Sequence, residues 1–362
     1  MEGQQNQIGM KEYVAIAFFL IVIKATDDIP TILFESLQNS GWMGPLLGGI
    51  MAIVPLCLLI HLAQKYEGEN AVDIFYHLLG KPLGFIVLFS LWGAGFIYIV
   101  LDTAVYADII STMYFVRTPA VVLYVILIGV SAYGVKKGLV SIGSVARAVF
   151  PYLQATLLFA LILTLVQGKH EYLFPLWGPG KMELIKEGML SVSIYVDFLY
   201  LFFIFPFVKS TKDYKRGTWI AFFLILLNIT ISLISYIVLF DYRSAALLNY
   251  PYHEAIRTIT IGLVGGVETF LFPFWLIAAD IKFAIYFYLN IFLFSQLFKI
   301  KHFEYMIPSF ATLILFLGLI PESPTFSIFK ITKWLGDLFA PVFFFLPILL
   351  WGIAAFKGDL KK

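Results

Sequence analysis

The sequence predicts an all-α integral membrane protein of about ten transmembrane helices, folded as a 5+5 inverted repeat with broken first and sixth helices. Three observations predict it. The 362 residues are 60% hydrophobic and 13% charged, with a mean hydropathy of +0.90, whereas soluble domains hold roughly 45–50% apolar and about 25% charged residues. Apolar runs of roughly 17–25 residues, the length of a bilayer crossing, recur along the whole chain. The first and sixth of these runs are each interrupted by ionisable residues and a proline.

The runs fall at 11–38, 43–64, 83–113, 119–134, 144–167, 184–208, 217–240, 267–294, 303–320 and 334–356. An odd number of spans in each half turns the second half upside down relative to the first, which places the halves at 11–167 and 184–356 within a single domain, 1–362. Two longer connectors stand out. The 168–183 loop is polar and rich in glycine. The 241–263 segment has Pro251 just inside its start and Ala255, Ile256 and Ile259 on one face, so it is expected to lie as an amphipathic helix at the membrane surface.

Basic residues set the orientation. With the N-terminus inside, the cytoplasmic connectors receive Lys11, Lys65, Lys81, Lys136, Lys137, Arg147, Lys209, Lys212, Lys215, Arg216, Lys299, Lys301, Lys357, Lys361 and Lys362. The outer side receives the smaller set Arg117, Lys169, Lys181, Lys186, Arg243, Arg257, Lys330 and Lys333. Both termini are therefore expected in the cytoplasm. The start, Met1–Gly9, carries no basic region and no small-residue cleavage site follows, so the first span is expected to stay in the fold.

The break in the first span is Lys24-Ala25-Thr26-Asp27-Asp28-Ile29-Pro30. Proline disfavours helix at the residue before it and removes a backbone donor, so the helix should unwind near Asp28. Unwound backbone and charge at mid-membrane depth are what a transporter-like site needs to meet a polar solute. The sixth span offers the counterpart, with Asp197 followed by Pro206. On the third span Tyr98, Asp102 and Tyr106 recur every four residues and share a helical face. On the eighth, Lys282 and Tyr286 do the same, and Asp280 lies two residues before Lys282.

Ionisable groups at this depth are costly when isolated, so they are expected to pair. The inventory is Lys24 and Lys282 against Asp27, Asp28, Asp102, Asp197 and Asp280. Carboxylates are in excess, so some must be protonated, hydrated near an interface, or matched by a cationic ligand. Residues two apart on a helix face different ways, so Asp280 and Lys282 should seek partners on other spans. Asp197 with Lys282 is the expected cross-helix pair, with Lys24–Asp28 as a second internal link.

Other function classes find no support. The net charge of +2 argues against nucleic acid. Phosphate-binding loops, nucleophile elbows, zinc-protease motifs and cysteine clusters are missing, which leaves no sign of an enzyme or of a cofactor. Cys57 is expected to be an inert packing residue. The five histidines are dispersed and read as interfacial.

One resemblance covers almost the whole chain. Pro30, Gly41-Trp42, Asp102 with Ala107-Asp108, Arg117-Thr118-Pro119, Gly138, Arg147, Phe150-Pro151 and Phe205-Pro206 occur in an order that resembles the endospore germination permeases. Tyr250-Pro251, Glu268, Phe270, Trp275, Trp334-Leu335-Gly336 and Leu346-Pro347 continue it. These are the GerAB-like B subunits of spore germinant receptors, in the amino acid–polyamine–organocation superfamily. The resemblance implies a LeuT-like bundle in the spore inner membrane that senses a small-molecule germinant, an amino acid or an ion. It also implies A-type and C-type receptor subunits as partners, besides membrane lipid. The implied pocket lies between spans one, three, six, eight and ten, placing Ala25, Ala94, Tyr98, Asp197, Lys282 and Tyr286 on its wall. The departures are charged: Lys24, Asp27 and Asp28 stand where relatives have a glycine-rich break. Tyr200 replaces an acidic residue, and Gly266 an arginine. The candidate site is thus Lys24, Ala25, Thr26, Asp27, Asp28, Ala94, Tyr98, Asp102, Asp197, Tyr200, Asp280, Lys282 and Tyr286. A proton- or ion-coupled amino-acid transporter is the alternative function.

Overall fold

In the computed structural model, residues 7–259, 267–320 and 324–361 are described, and they are almost wholly helical. The first span is split into α1 (Met10–Val22) and α2 (Ile29–Leu37), joined by a tight turn at Ile23–Thr26. Pro30 sits in the first turn of α2, where its missing N–H costs nothing. α3 (Met43–Lys65) forms the second span. The short α4 (Ala71–Leu79), which the sequence reading passed over as a connector, is capped by Asn70 and buries Val72, Ile74, Phe75 and Leu78. The third to fifth spans are α5 (Lys81–Ile109), α6 (Ala120–Lys137) and α7 (Leu139–Gln167).

The sixth span repeats the discontinuity. α8 (Lys181–Leu190) gives way to a tight turn at Ser191–Tyr195, resumes as α9 (Asp197–Leu201), and tightens again at Phe202–Phe207 around Pro206. α10 (Thr211–Phe240) is the seventh span. Two short helices follow, α11 (Tyr242–Ala245) and α12 (Pro251–Thr258), then α13 (Val267–Leu297), α14 (Ile307–Gly318) and α15 (Pro324–Lys357). Eight helical stretches among the described residues are long and apolar enough to cross a membrane; the broken first span and the shorter Phe303–Gly318 complete the expected set.

Burial separates the inner helices from the outer ones. The apolar window of α13 is 83% buried and that of the sixth span 78%, against 22% for α7, whose exposed Ile162 and Val166 suit a lipid-facing role. α1, the sixth span, α10 and α13 therefore form the centre. Cys57, expected to pack, is exposed on α3. The segment before α1 is pinned to the end of the sixth span, where Ile8 N–H donates to the Phe207 carbonyl at 2.8 Å and Lys209 N–H to that of Ile8 at 3.0 Å. The C-terminus is tied down as well: His77 and Tyr66 bond the Asp359 carboxylate at 3.0 and 2.8 Å. Those bonds hold its carboxyl below the ordinary range, so the tie is complete at neutral pH and loosens as acid protonates it.

The broken sixth span is seated directly on α3. A Cβ at Gly48 would stand 2.5 Å from the Ser191 carbonyl carbon and 2.7 Å from the Val192 nitrogen, both backbone atoms with no room to yield. Gly48→Ala is therefore expected to lower stability by about 1–3 kcal/mol, as overpacking does. The measurement is the unfolding midpoint of the purified protein, and an unchanged midpoint would contradict the close approach.

Candidate ligand-binding chamber

The break in the first span is fastened from two sides. Tyr236 on α10 donates its hydroxyl to the Ala25 carbonyl at 3.0 Å, and the Trp275 indole on α13 donates to Thr26 Oγ1 at 2.9 Å. Asp27 Oδ1 accepts the Ile29 N–H at 3.2 Å, satisfying a donor that the start of α2 would otherwise leave open. The unwound segment is thus held in place with Lys24, Asp27 and Asp28 each at most 3% exposed.

The buried charges resolve into two clusters. Lys24 pairs with Asp197, donates to the Ile194 carbonyl at 3.3 Å, and lies 5.4 Å from the centroid of the Tyr98 ring. The other oxygen of Asp197 accepts the Tyr286 hydroxyl. Lys282, wholly buried, lies 2.9 Å from Asp102 and 3.5 Å from Asp27, and donates to the Tyr106 hydroxyl at 3.3 Å. Its ammonium also stands 4.6 Å from the Tyr106 ring centroid, within cation–π range. Each ammonium therefore recovers its lost hydration through several oriented partners.

This pairing corrects two expectations. Asp197 joins Lys24 rather than Lys282, because the two breaks face one another while Lys282 turns toward the Asp102 face of α5. No Lys24–Asp28 link forms, and Asp28 Oδ2 is buried with no hydrogen-bond partner among the described residues. Asp280 stays out of the chamber. It was expected to pair with another span, but it forms no ion pair among the described residues and its Oδ1 is unpartnered.

Beside the Lys24–Asp197 pair lies a cavity of about 640 Å³. Ala94, Tyr98, Asp197, Tyr200 and Tyr286 line it, as the sequence suggested, and so do Gly95, Ser193, Ile194, Gly336 and Phe339, which carry no charge and were not among the candidate site residues. Gly95 has a spatial reason to be glycine: a Cβ there would meet the Tyr200 ring at 3.0 Å and the Asn290 amide at 3.4 Å. Tyr200 is in turn aimed by its bond to the Leu91 carbonyl at 2.8 Å. Ala25, Thr26, Asp27, Asp28, Asp102 and Lys282 are not on this wall; Ala25 and Thr26 support the break, Asp27, Asp102 and Lys282 form the second cluster, and Asp28 is paired in neither. A smaller cavity of about 460 Å³ shares Ile29, Ser193, Ile194, Thr332 and Gly336 with the first and extends to Glu187, Lys333 and Asp337.

The 241–259 stretch caps the assembly. Expected at the membrane surface, it is packed inward, with Tyr252, His253, Ala255 and Ile256 buried. His253 bonds the Tyr114 hydroxyl through Nδ1 at 2.8 Å and stands edge-on to Trp275 at 4.5 Å. Tyr250 donates to Asp108 at 2.6 Å and Thr31 to the Leu248 carbonyl at 2.6 Å. These polar anchors draw the segment onto the bundle; residues 260–263 of the expected helix lie outside the described residues. The reading of His253 as interfacial is corrected with it. Among the described residues no group of three or more His, Cys, Asp or Glu side chains is placed to hold a metal ion.

Chemically, the cavity offers an ammonium and a carboxylate side by side, flanked by aromatic rings and bare helix-break backbone. It can exchange its internal ion pair for the two charges of a zwitterion.

Comparison with known proteins follows the same lines. Over nearly its full length the chain is similar to spore germination protein YndE of Bacillus subtilis strain 168, at 23% identity, covering 92% of each protein. It is 25% identical to spore germination protein XB of Bacillus anthracis over 77% of this chain and 79% of that one. In architecture it resembles the crystal structure of MhsT in complex with L-phenylalanine, with a TM-score of 0.69, 15% identity, and coverage of 94% of this chain and 87% of the other. That likeness shows the fold, a LeuT-like inverted repeat. The family described as spore germination protein matches residues 13–327, and the chain, a transporter-like membrane protein, belongs to that family.

Proposed function

We propose that the protein is the B subunit of a spore germinant receptor and binds a small zwitterionic nutrient, an amino acid or similar, in the cavity beside Lys24 and Asp197. The observation that carries this is the ion pair itself, set on the wall of a cavity at the meeting of two helix breaks. The nutrient's ammonium is taken by Asp197 and its carboxylate by Lys24, with Tyr98 and Tyr286 against its side chain. Four carboxylates of the two clusters and their surroundings face two ammonium groups, which favours a ligand that brings a positive charge. The similar fold of MhsT holds L-phenylalanine, which supports a small amino acid as the class.

The protein acts in the spore inner membrane with both termini cytoplasmic, in complex with A-type and C-type subunits. Its role is recognition, without catalysis, and the halves 11–167 and 184–356 are the parts that shift. Ligand enters through the smaller cavity, which adjoins the first and reaches the charged Glu187, Lys333 and Asp337. A signal requires the ligand to favour one arrangement of the halves over another.

The test is a panel of amino acids against the purified chain, read by thermal stabilisation. At a hundredfold excess over Kd, a specific ligand should add about 2.7 kcal/mol. Gly336→Leu should abolish the response while leaving the unliganded protein folded. A Cβ at Gly336 meets nothing nearer than Ser193 Oγ at 3.4 Å, so the longer side chain projects into the cavity. No stabilisation by any amino acid would refute the proposal. Uptake of labelled amino acid by reconstituted protein would favour the second function, coupled transport, for which the buried Lys282–Asp27–Asp102 cluster is the observation.

A further inference from the structure

A groove of about 1400 Å³ opens at the opposite end of the bundle, between α4, the start of α5 and the end of α13. Its lining includes Lys81, Lys299 and Lys301 against a single acidic side chain, Asp73. None of the three lysines forms an ion pair among the described residues. Gln296 accepts the Asn70 amide through Oε1 at 2.8 Å, which ties α13 to the cap of α4 and sets the floor.

Two features distinguish this groove from a general basic surface. Lys299 has φ of 54°, and Ile300 N–H returns to the Ser295 carbonyl at 2.8 Å. That is a helix ending which ordinarily takes glycine, and a lysine there carries backbone strain. An ammonium is thus kept at this point against the local preference. The groove also runs into an apolar wall. Phe85 stacks on Phe89 at 5.8 Å and meets Phe298 edge-on at 6.1 Å, and all three rings are exposed on the flank of the bundle. A basic mouth continuous with an aromatic, lipid-facing strip has the shape of an amphiphile.

We propose that this groove binds an anionic phospholipid, its phosphate held by Lys81, Lys299 and Lys301 and its acyl chains laid along Phe85, Phe89 and Phe298. Basic recesses between spans at this leaflet suit acidic headgroups, and the aromatic strip gives the chains a partner that a soluble phosphate would not use. The bound lipid bridges α4 and α5 to α13.

The test uses the purified full chain in mixed micelles, titrated with phosphatidylglycerol, phosphatidylcholine or soluble glycerol phosphate, with the unfolding midpoint as readout. Phosphatidylglycerol should raise the midpoint and the other two should not. Lys81→Gln/Lys299→Gln/Lys301→Gln should weaken the apparent affinity for phosphatidylglycerol by more than about tenfold. Lys212→Gln/Lys215→Gln/Arg216→Gln, which removes the same charge from the exposed first turns of α10 on the same side, should leave it unchanged. Lys299→Gly guards against misfolding of the triple variant: it should hold or raise the lipid-free midpoint while weakening the lipid response. Equal loss in both triple variants, equal response to glycerol phosphate, no preference for the anionic lipid, or an unaltered lipid response in Lys299→Gly would each overturn the proposal.

Discussion

Lys282→Met is expected to destabilise the protein by about 3–5 kcal/mol, the cost of leaving buried charge without its partner. The side chain is wholly buried and is the only ammonium within ion-pair distance of Asp27 and Asp102 among the described residues. Methionine fills much the same volume, so the loss measures charge rather than packing. Two carboxylates would then confront each other where water is scarce, and Tyr106 would lose the donor that its hydroxyl accepts. The unfolding midpoint and the yield of folded protein from membranes are the readouts. Adding Asp27→Asn and Asp102→Asn should recover most of the loss, because a neutral cluster has no unpaired charge to hold. A single variant as stable as the parent would mean that water reaches the cluster.

Asp197→Asn should have the second-largest effect, and it should strike binding as well as stability. Asp197 is shared: one oxygen meets Lys24 and the other the Tyr286 hydroxyl. Asparagine keeps the shape and removes the charge, so Lys24 remains desolvated with only a neutral amide, the Ile194 carbonyl and the Tyr98 ring as partners. Truncating one member of a buried, hydrogen-bonded charge pair costs about 2–5 kcal/mol, and a ligand ammonium that relies on the carboxylate should bind more than about thirtyfold more weakly. The reversed pair, Lys24→Asp with Asp197→Lys, separates the two consequences. It should regain much of the stability and none of the ligand response, since charge balance returns with the recognition groups transposed. Full ligand response in Asp197→Asn would remove this residue from the binding site.

Much of this architecture was legible in the chain because the bilayer enforces simple rules. Length and hydropathy gave the spans, and a proline beside charged residues gave the first break; Asp197 and Pro206 marked the sixth span as interrupted, but not its turn at Ser191–Tyr195. The i, i+4 spacing of Tyr98, Asp102 and Tyr106 correctly foretold a single face, which all meets Lys282. What a one-dimensional pattern withholds is how each helix is rotated against its neighbours. Asp197 and Lys282 are both deep, yet only packing decides that Asp197 looks toward α1. The same rotation leaves Asp280 outside and unpaired, contrary to the expectation that it would find a partner on another span. Gly95, Gly336 and Phe339 were missed because a cavity wall made of small and aromatic residues looks like any other apolar stretch. The cap at 241–259 was misplaced for a related reason: amphipathicity shows that a helix has an apolar side, and whether that side meets lipid or protein depends on anchors such as Tyr250–Asp108, which lie far apart in sequence.

Lys24 and Asp197 belong to opposite halves of the chain, and so do Lys282 and its partners Asp27 and Asp102. The interior is therefore stitched across its seam by opposite charges, like a clasp closed at two points. Small thermal jolts cannot open it piecemeal, because a half-opened clasp strands an ion in oil. Parting the two halves would therefore mean separating buried ions at two points together, a threshold set by charge rather than by packing alone.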